Sequence, residues 1–195
     1  MTLGGRVCRL AFVVLGLLPA SHAWAQRRPI DVAQSRITVR VFKAGLFGGF
    51  GHNHEITAPV ERGWVETGAK PGVSLEVDAR KLKVADPDLE TEKRAEVQKT
   101  MEGPEVLDAG RSPEIRFEST AVEPAGQNQW TVRGNLRLHG QTQPVSVDVT
   151  FGGNRYRGSA TILQTSFGIK PVSAAGGTIK TKNEVRIEFE IVLQP

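Results

Sequence analysis

The final stretch of the chain is the strongest constraint on what it can become. Val185, Ile187, Phe189, Ile191 and Leu193 alternate with Arg186, Glu188 and Glu190. A period of two puts apolar side chains on one face of an extended strand and charges on the other. The pattern recurs upstream. Ile37, Val39 and Val41 oppose Arg36, Thr38 and Arg40; Val60 to Glu66 carries Trp64 and Val65; Val73 to Asp78 alternates cleanly; Ile115 and Phe117 oppose Arg116 and Glu118. Trp130, Val132, Leu136 and Leu138 then share a face, followed by Val145, Val147, Val149 and Phe151, and by Tyr156, Ala160 and Ile162. About eight strands, each with one apolar face, must close into a barrel or stack as a sandwich. A barrel also removes the exposed edges. Hairpin-type connections at Pro124–Asn128, His139–Thr142 and Gly152–Asn154 make the neighbours antiparallel.

One segment breaks the period. Asp86-Pro87-Asp88 precedes Leu89 to Glu102, rich in Glu, Lys, Ala and Gln and stopped by Gly103-Pro104. An aspartate N-cap, early acids and a Gly-Pro stop predict one short helix between strands. Its apolar residues (Leu89, Val97, Met101) are few, so it covers the end of a barrel, as a plug or a lid, and does not fill it.

Residues 1–25 read as a signal peptide. Arg6 and Arg9 precede a short apolar run from Leu10 to Pro19, and Ala23-Trp24-Ala25 is an A-x-A cleavage pattern. The run is too short for a stable membrane anchor. The expectation is a periplasmic or secreted chain whose residues 26–195 form one domain. Cys8, the single cysteine, would leave with the leader, which excludes disulfides, thiolate metal sites and a cysteine nucleophile. Cleavage also lowers the formal net charge of +4 by two. With no long basic run, nucleic acid is not an expected partner. No Gly-x-Ser-x-Gly elbow or paired-carboxylate motif stands out, so the leading expectation is not an enzyme, with a His-based metal-binding protein or metallohydrolase as the alternative.

The stretch Gly45 to Ile56 holds four glycines between Gly45 and Gly51, along with Phe47, Phe50, His52 and His54. Such glycine density bends or bulges a strand, and aromatics beside histidines suit the polar mouth of an apolar channel. The competing reading is a metal site. On an extended segment His52 and His54 project from one face, and His139 would supply a third ligand, with Glu55 as a base.

Several of these segments, in order, resemble the YceI-like, polyisoprenoid-binding family. They are the glycines with His52 and His54, Leu107-Asp108 before Ser112–Thr120, Trp130–Thr142, and Thr165-Ser166-Phe167-Gly168-Ile169. Ser166 stands where an acidic residue often precedes the Phe-Gly pair. The resemblance runs from about Ile30 to Leu193. It implies an all-β, extended, lipocalin-like antiparallel barrel in a small secreted bacterial protein without catalytic machinery. Its bore would hold a long-chain isoprenoid lipid, a polyisoprenoid or an isoprenoid quinone-type molecule, and no other cofactor.

The physics permits such a bore. Strands of seven to nine residues at about 3.3 Å each make a channel on the order of 25–30 Å long, and eight strands enclose room for one slender ligand. The candidate ligand-binding residues are Phe42, Phe47, Phe50, His52, His54, Phe117, Trp130, Leu136, His139 and Phe167. The histidines would meet the headgroup. A purely structural barrel, packed solid, is the third reading. The sequence leaves the ligand's length and headgroup, its pathway and the pairing of two copies as a homodimer open.

Overall fold

The computed structural model describes residues 26–44, 53–174 and 179–195. The predicted leader, Phe47, Phe50 and His52 lie outside the described residues. The chain forms strands β1 (Gln26–Pro29), β2 (Arg36–Ala44), β3 (His54–Ala58), β4 (Val60–Thr67), β5 (Gly72–Asp78) and β6 (Lys83–Val84), then helix α1 (Thr91–Glu102). Next come β7 (Glu114–Gly126), β8 (Gln129–Leu138), β9 (Gln141–Gly152), β10 (Arg155–Leu163), β11 (Ser173–Ala174) and β12 (Ile179–Ile191). They build one antiparallel 12-stranded sheet, ordered β1-β4-β5-β7-β8-β9-β10-β12-β2-β3-β6, with β11 added beside β12. All eight alternating segments are strands. The extra four are β1, β3, β6 and β11, two to five residues each and too short to show a period.

The sheet curls back on itself. Ile30 bridges Leu193, Asp31 N–H donates to the Val192 carbonyl at 2.8 Å, and Gln194 N–H donates to that of Pro29 at 2.9 Å. The first and last described segments are therefore joined. The alternation sorts as read: Val185, Ile187, Phe189 and Ile191 line the interior, while Glu188 and Glu190 face out and pair with Arg40 and Arg157. In β7 the register shifts between Ser119 and Ala121. That bulge resets the parity, so Val122 and Pro124 follow Ile115 and Phe117 into the interior.

The helix begins at Thr91, two residues later than the sequence predicts, and ends at Gly103, whose N–H donates to the Thr100 carbonyl at 3.2 Å. Neither expected aspartate caps it; Glu90 occupies that position without a side-chain bond. The Asp86 carboxylate is engaged elsewhere, accepting from the Glu55 N–H and from His54 Nδ1, each at 2.6 Å. The helix is a plug. Met101 and Leu89 are buried and Val97 packs on the core. Gln98 holds it in place by accepting from the Val84 N–H at 2.9 Å and donating to the Leu82 carbonyl at 2.8 Å.

The two ends of the barrel differ. At one end the loop after α1 meets the β8–β9 turn, which in turn meets a 3-10 turn, Gln164–Phe167. There a Cβ on Gly140 would lie 3.3 Å from Ser112 Oγ, and His139 Nδ1 lies 3.0 Å from the Phe167 carbonyl. At the other end stand the β4–β5, β7–β8 and β9–β10 hairpins.

Candidate ligand-binding cavity

Between these ends runs a cavity of about 580 Å³. Nearly every strand contributes inward-parity residues: Ile37, Val39 and Val41 from β2, Leu75 and Val77 from β5, Val145, Val147 and Val149 from β9, Tyr156, Ala160 and Ile162 from β10. Many of them are only half-buried, because their exposed surface faces the void and not a packed core. A barrel filled by its own side chains would not leave that surface. The lining holds no Lys, Arg or His among the described residues; its polar side chains are Glu66, Thr67 and Gln164, with the Tyr156 hydroxyl and the Trp130 indole N–H.

Two inward-parity glycines shape the wall. A Cβ on Gly134 would lie 2.5 Å from Phe117 Cζ, and one on Gly158 would lie 2.6 Å from Phe189 Cζ. Each ring lies over a bare backbone, against the wall. The helix end is sealed by buried Met101, Leu107 and Ile169. The hairpin end contributes exposed Thr67, Gly68, Pro71 and Pro124 to the lining, and so forms the mouth. Beside it Tyr156 stacks at a tilt on Phe151, with ring centroids 4.8 Å apart, and reaches Trp130 at 6.4 Å. Burial pushes the Tyr156 phenol up from its ordinary 10.0, so the hydroxyl keeps its proton. Glu66 is neutralised by Arg27 at 2.7 Å.

The sequence-predicted residues divide. Phe117, Trp130 and Leu136 line the cavity. Phe42 does not: Val39 and Val41 point inward, so their neighbour must point outward, and it lines a separate pocket of about 350 Å³ with Arg40, Asn53, His54, Glu55 and Asp86. His54 is therefore also outside the bore lining. His139 is a turn residue. With φ of +51° followed by +71° at Gly140, the pair makes a left-handed two-residue hairpin turn, and the imidazole Nδ1–H donates to Phe167 O. Phe167 is core, 1% exposed, and absent from the cavity wall. His54 likewise gives its Nδ1–H to Asp86, so the two described histidines are tied to different partners. Among the described residues no three His, Cys, Asp or Glu side chains gather as a metal cluster, and no helix is long and apolar enough to cross a membrane.

Sequence reasoning missed Glu66, Thr67 and Gln164. No period marks the first two, which end a strand. Gln164 sits just before the Thr165–Ile169 segment, where polarity alone reads as a solvated turn.

Residues 29–193 match the YceI-like domain. A UPF0312 protein of Pseudomonas savastanoi pv. phaseolicola is 34% identical over 106 residues, 49% of this chain and 53% of its own length. One from Vibrio cholerae is 30% identical over 117 residues, 55% and 58% of the two chains. The chain thus spans about half the length of the curated relatives it matches. Among solved structures, Burkholderia cenocepacia BcnA superposes with a TM-score of 0.61 at 21% identity, over 83% of this chain and 98% of that one. A polyisoprenoid binding domain from Saccharophagus degradans gives 0.53 at 11% identity, over 84% and 95%. At these identities the likeness is one of fold. Since the matched segment takes in every strand from β2 to β12 and the whole wall of the cavity, the chain belongs to the YceI-like domain family.

Proposed function

We propose that the protein is a non-catalytic carrier that encloses the hydrocarbon chain of a long isoprenoid or similar lipid, for transport, storage or sequestration. The observation that carries this reading is the cavity of about 580 Å³ with an almost wholly hydrocarbon wall, within the roughly 300–1,000 Å³ of small-molecule sites. Burial at about 0.8 kcal/mol per CH₂ lets a chain of a dozen or more carbons offset an association cost on the order of 4–15 kcal/mol. The name of the Saccharophagus degradans neighbour, a polyisoprenoid binding domain, supports the isoprenoid class. The leader expected from the sequence of residues 1–25 supports a periplasmic or secreted site of action.

The test is organic extraction and mass spectrometry of natively purified protein, with metal analysis of the same sample, alongside the variant Ala160→Phe. Ala160 lines the cavity, and a phenyl ring there occupies the bore. A stoichiometric lipid in the wild type and none in the variant is the expected result. A stoichiometric metal without lipid, or equal lipid in both proteins, sinks the reading.

A further inference from the structure

The cavity wall is hydrocarbon except at its ends, and at the sealed end it carries a polar side chain that the fold only partly uses. Gln164 is 6% exposed and lines the cavity. Its Nε2 donates to the Lys182 carbonyl at 2.7 Å. That carbonyl lies where the β12–β2 register shifts between Thr181 and Val185, so one amide proton has a structural task, satisfying a carbonyl at the irregularity. A carboxamide offers two protons and two lone pairs. Among the described residues nothing pairs with Oε1 or takes the second proton. The spare lone pairs and the second proton of this wall-lining amide are open to whatever occupies the cavity.

The turn that carries the side chain is also held still. The Gln164 carbonyl accepts from Ile169 N–H at 3.1 Å. Thr165 N–H donates to Asn183 Oδ1, and Asn183 Nδ2 donates to Thr165 Oγ1, both at 3.0 Å. The last turn residue, Phe167, is buried and tied to His139.

We infer that Gln164 is a specificity-determining contact at the blind end of the bore, where it exchanges hydrogen bonds with an uncharged hydroxyl on the buried terminus of the ligand. A hydroxyl both donates to Oε1 and accepts from the free amide proton. A phosphate or carboxylate there would be a buried charge with no Lys, Arg or His in the described lining to meet it. The inference rests on the carrier reading and adds to it an orientation: the hydroxylated terminus enters first, and the rest of the chain extends toward Trp130 and Tyr156 at the mouth.

The experiment measures displacement of the apolar fluorophore diphenylhexatriene from the delipidated full chain by dodecanol and by dodecane. The variants are Gln164→Leu and Gln164→Met, both of which leave Lys182 O unpaired, so a structural effect of that loss appears equally with either ligand. The expected result is a dodecanol-to-dodecane affinity ratio about tenfold lower in the variants than in the wild type, one hydrogen bond's worth. A ratio that stays the same in both variants overturns the role of Gln164 and leaves the carrier reading standing. Failure of the wild type to bind the fluorophore or either competitor overturns the carrier reading itself, and this inference with it.

Discussion

Gly134 and Gly158 decide how much of the bore stays open. A methyl group at Gly134 would lie 2.5 Å from both the Phe117 ring and the Glu118 carbonyl, whereas one at Gly152 would meet nothing within 4 Å. In Gly134→Ala the ring must swing off the wall into the cavity, and the strand must also shift away from the Glu118 carbonyl. The expected loss is about 1–3 kcal/mol, the usual range for overpacking, read from urea unfolding, with Gly152→Ala within about 0.5 kcal/mol of wild type. A second residue-scale prediction concerns acid. The Arg80 guanidinium, bonded to Asp78 at 2.6 and 2.9 Å, holds that carboxyl at about 2 instead of 3.8. A depressed folded pKa stabilises the native state above the unfolded value. Asp78's contribution is therefore complete above 3.8 and disappears as pH falls through about 2. In Asp78→Asn the acid limb of the stability curve should flatten over that window, measured by chemical unfolding at a series of pH values. An unchanged limb would mean the contact is not maintained in solution.

At the scale of the element, α1 contributes through its contacts more than through its own propensity. Gln98 satisfies the Val84 N–H and the Leu82 carbonyl, covering the edge that two-residue β6 leaves open. Gln98→Ala should cost about 1–3 kcal/mol, the range for an orphaned buried backbone group, and should accelerate amide exchange at Val84 more than in the β8–β9 ladder. Exchange that rises uniformly would instead assign Gln98 a general stabilising role. This contact also marks the limit of what the sequence discloses. The eight long strands were legible because side-chain period is a local property that burial enforces on every second residue. Applied strictly, the same rule puts Phe42 outside once Ile37, Val39 and Val41 are inside, and apolar character alone does not bring it into the bore. The helix cap was not legible. Asp86 has the right composition and place for capping, but Glu55 and His54 take its carboxylate, a competition between segments some thirty residues apart. Gln164 was hidden for the same reason. Its partner, Lys182 O, is created by an irregularity in a distant strand pairing that no local pattern encodes.

At the scale of the whole molecule, the fold leaves its centre unfilled by its own side chains. Residues such as Val39, Leu75, Ile115, Val145, Ile187 and Phe189 pack against the core on one side only and face the cavity on the other. They forgo contacts that a solid interior would supply. The sheet can carry that deficit because its ends are joined through Ile30 and Leu193, and because cross-strand pairs such as Arg40–Glu188 and Arg157–Glu190 are aligned along the outside. A ligand that enters the bore restores the missing contacts only in the native state, so it must stabilise that state by linkage, about 2.7 kcal/mol at a hundredfold excess over Kd. Delipidated protein should therefore melt below the native preparation, and a bound alcohol or alkane should restore the difference. Ala160→Phe provides the control. Its ring supplies part of the missing packing covalently, so the empty variant should melt at or above the empty wild type and respond little to added ligand. If the variant shifts as far as the wild type does, the ligand sits somewhere other than the bore. If the wild type itself shows no shift on delipidation, the cavity is a property of the fold and not a binding site.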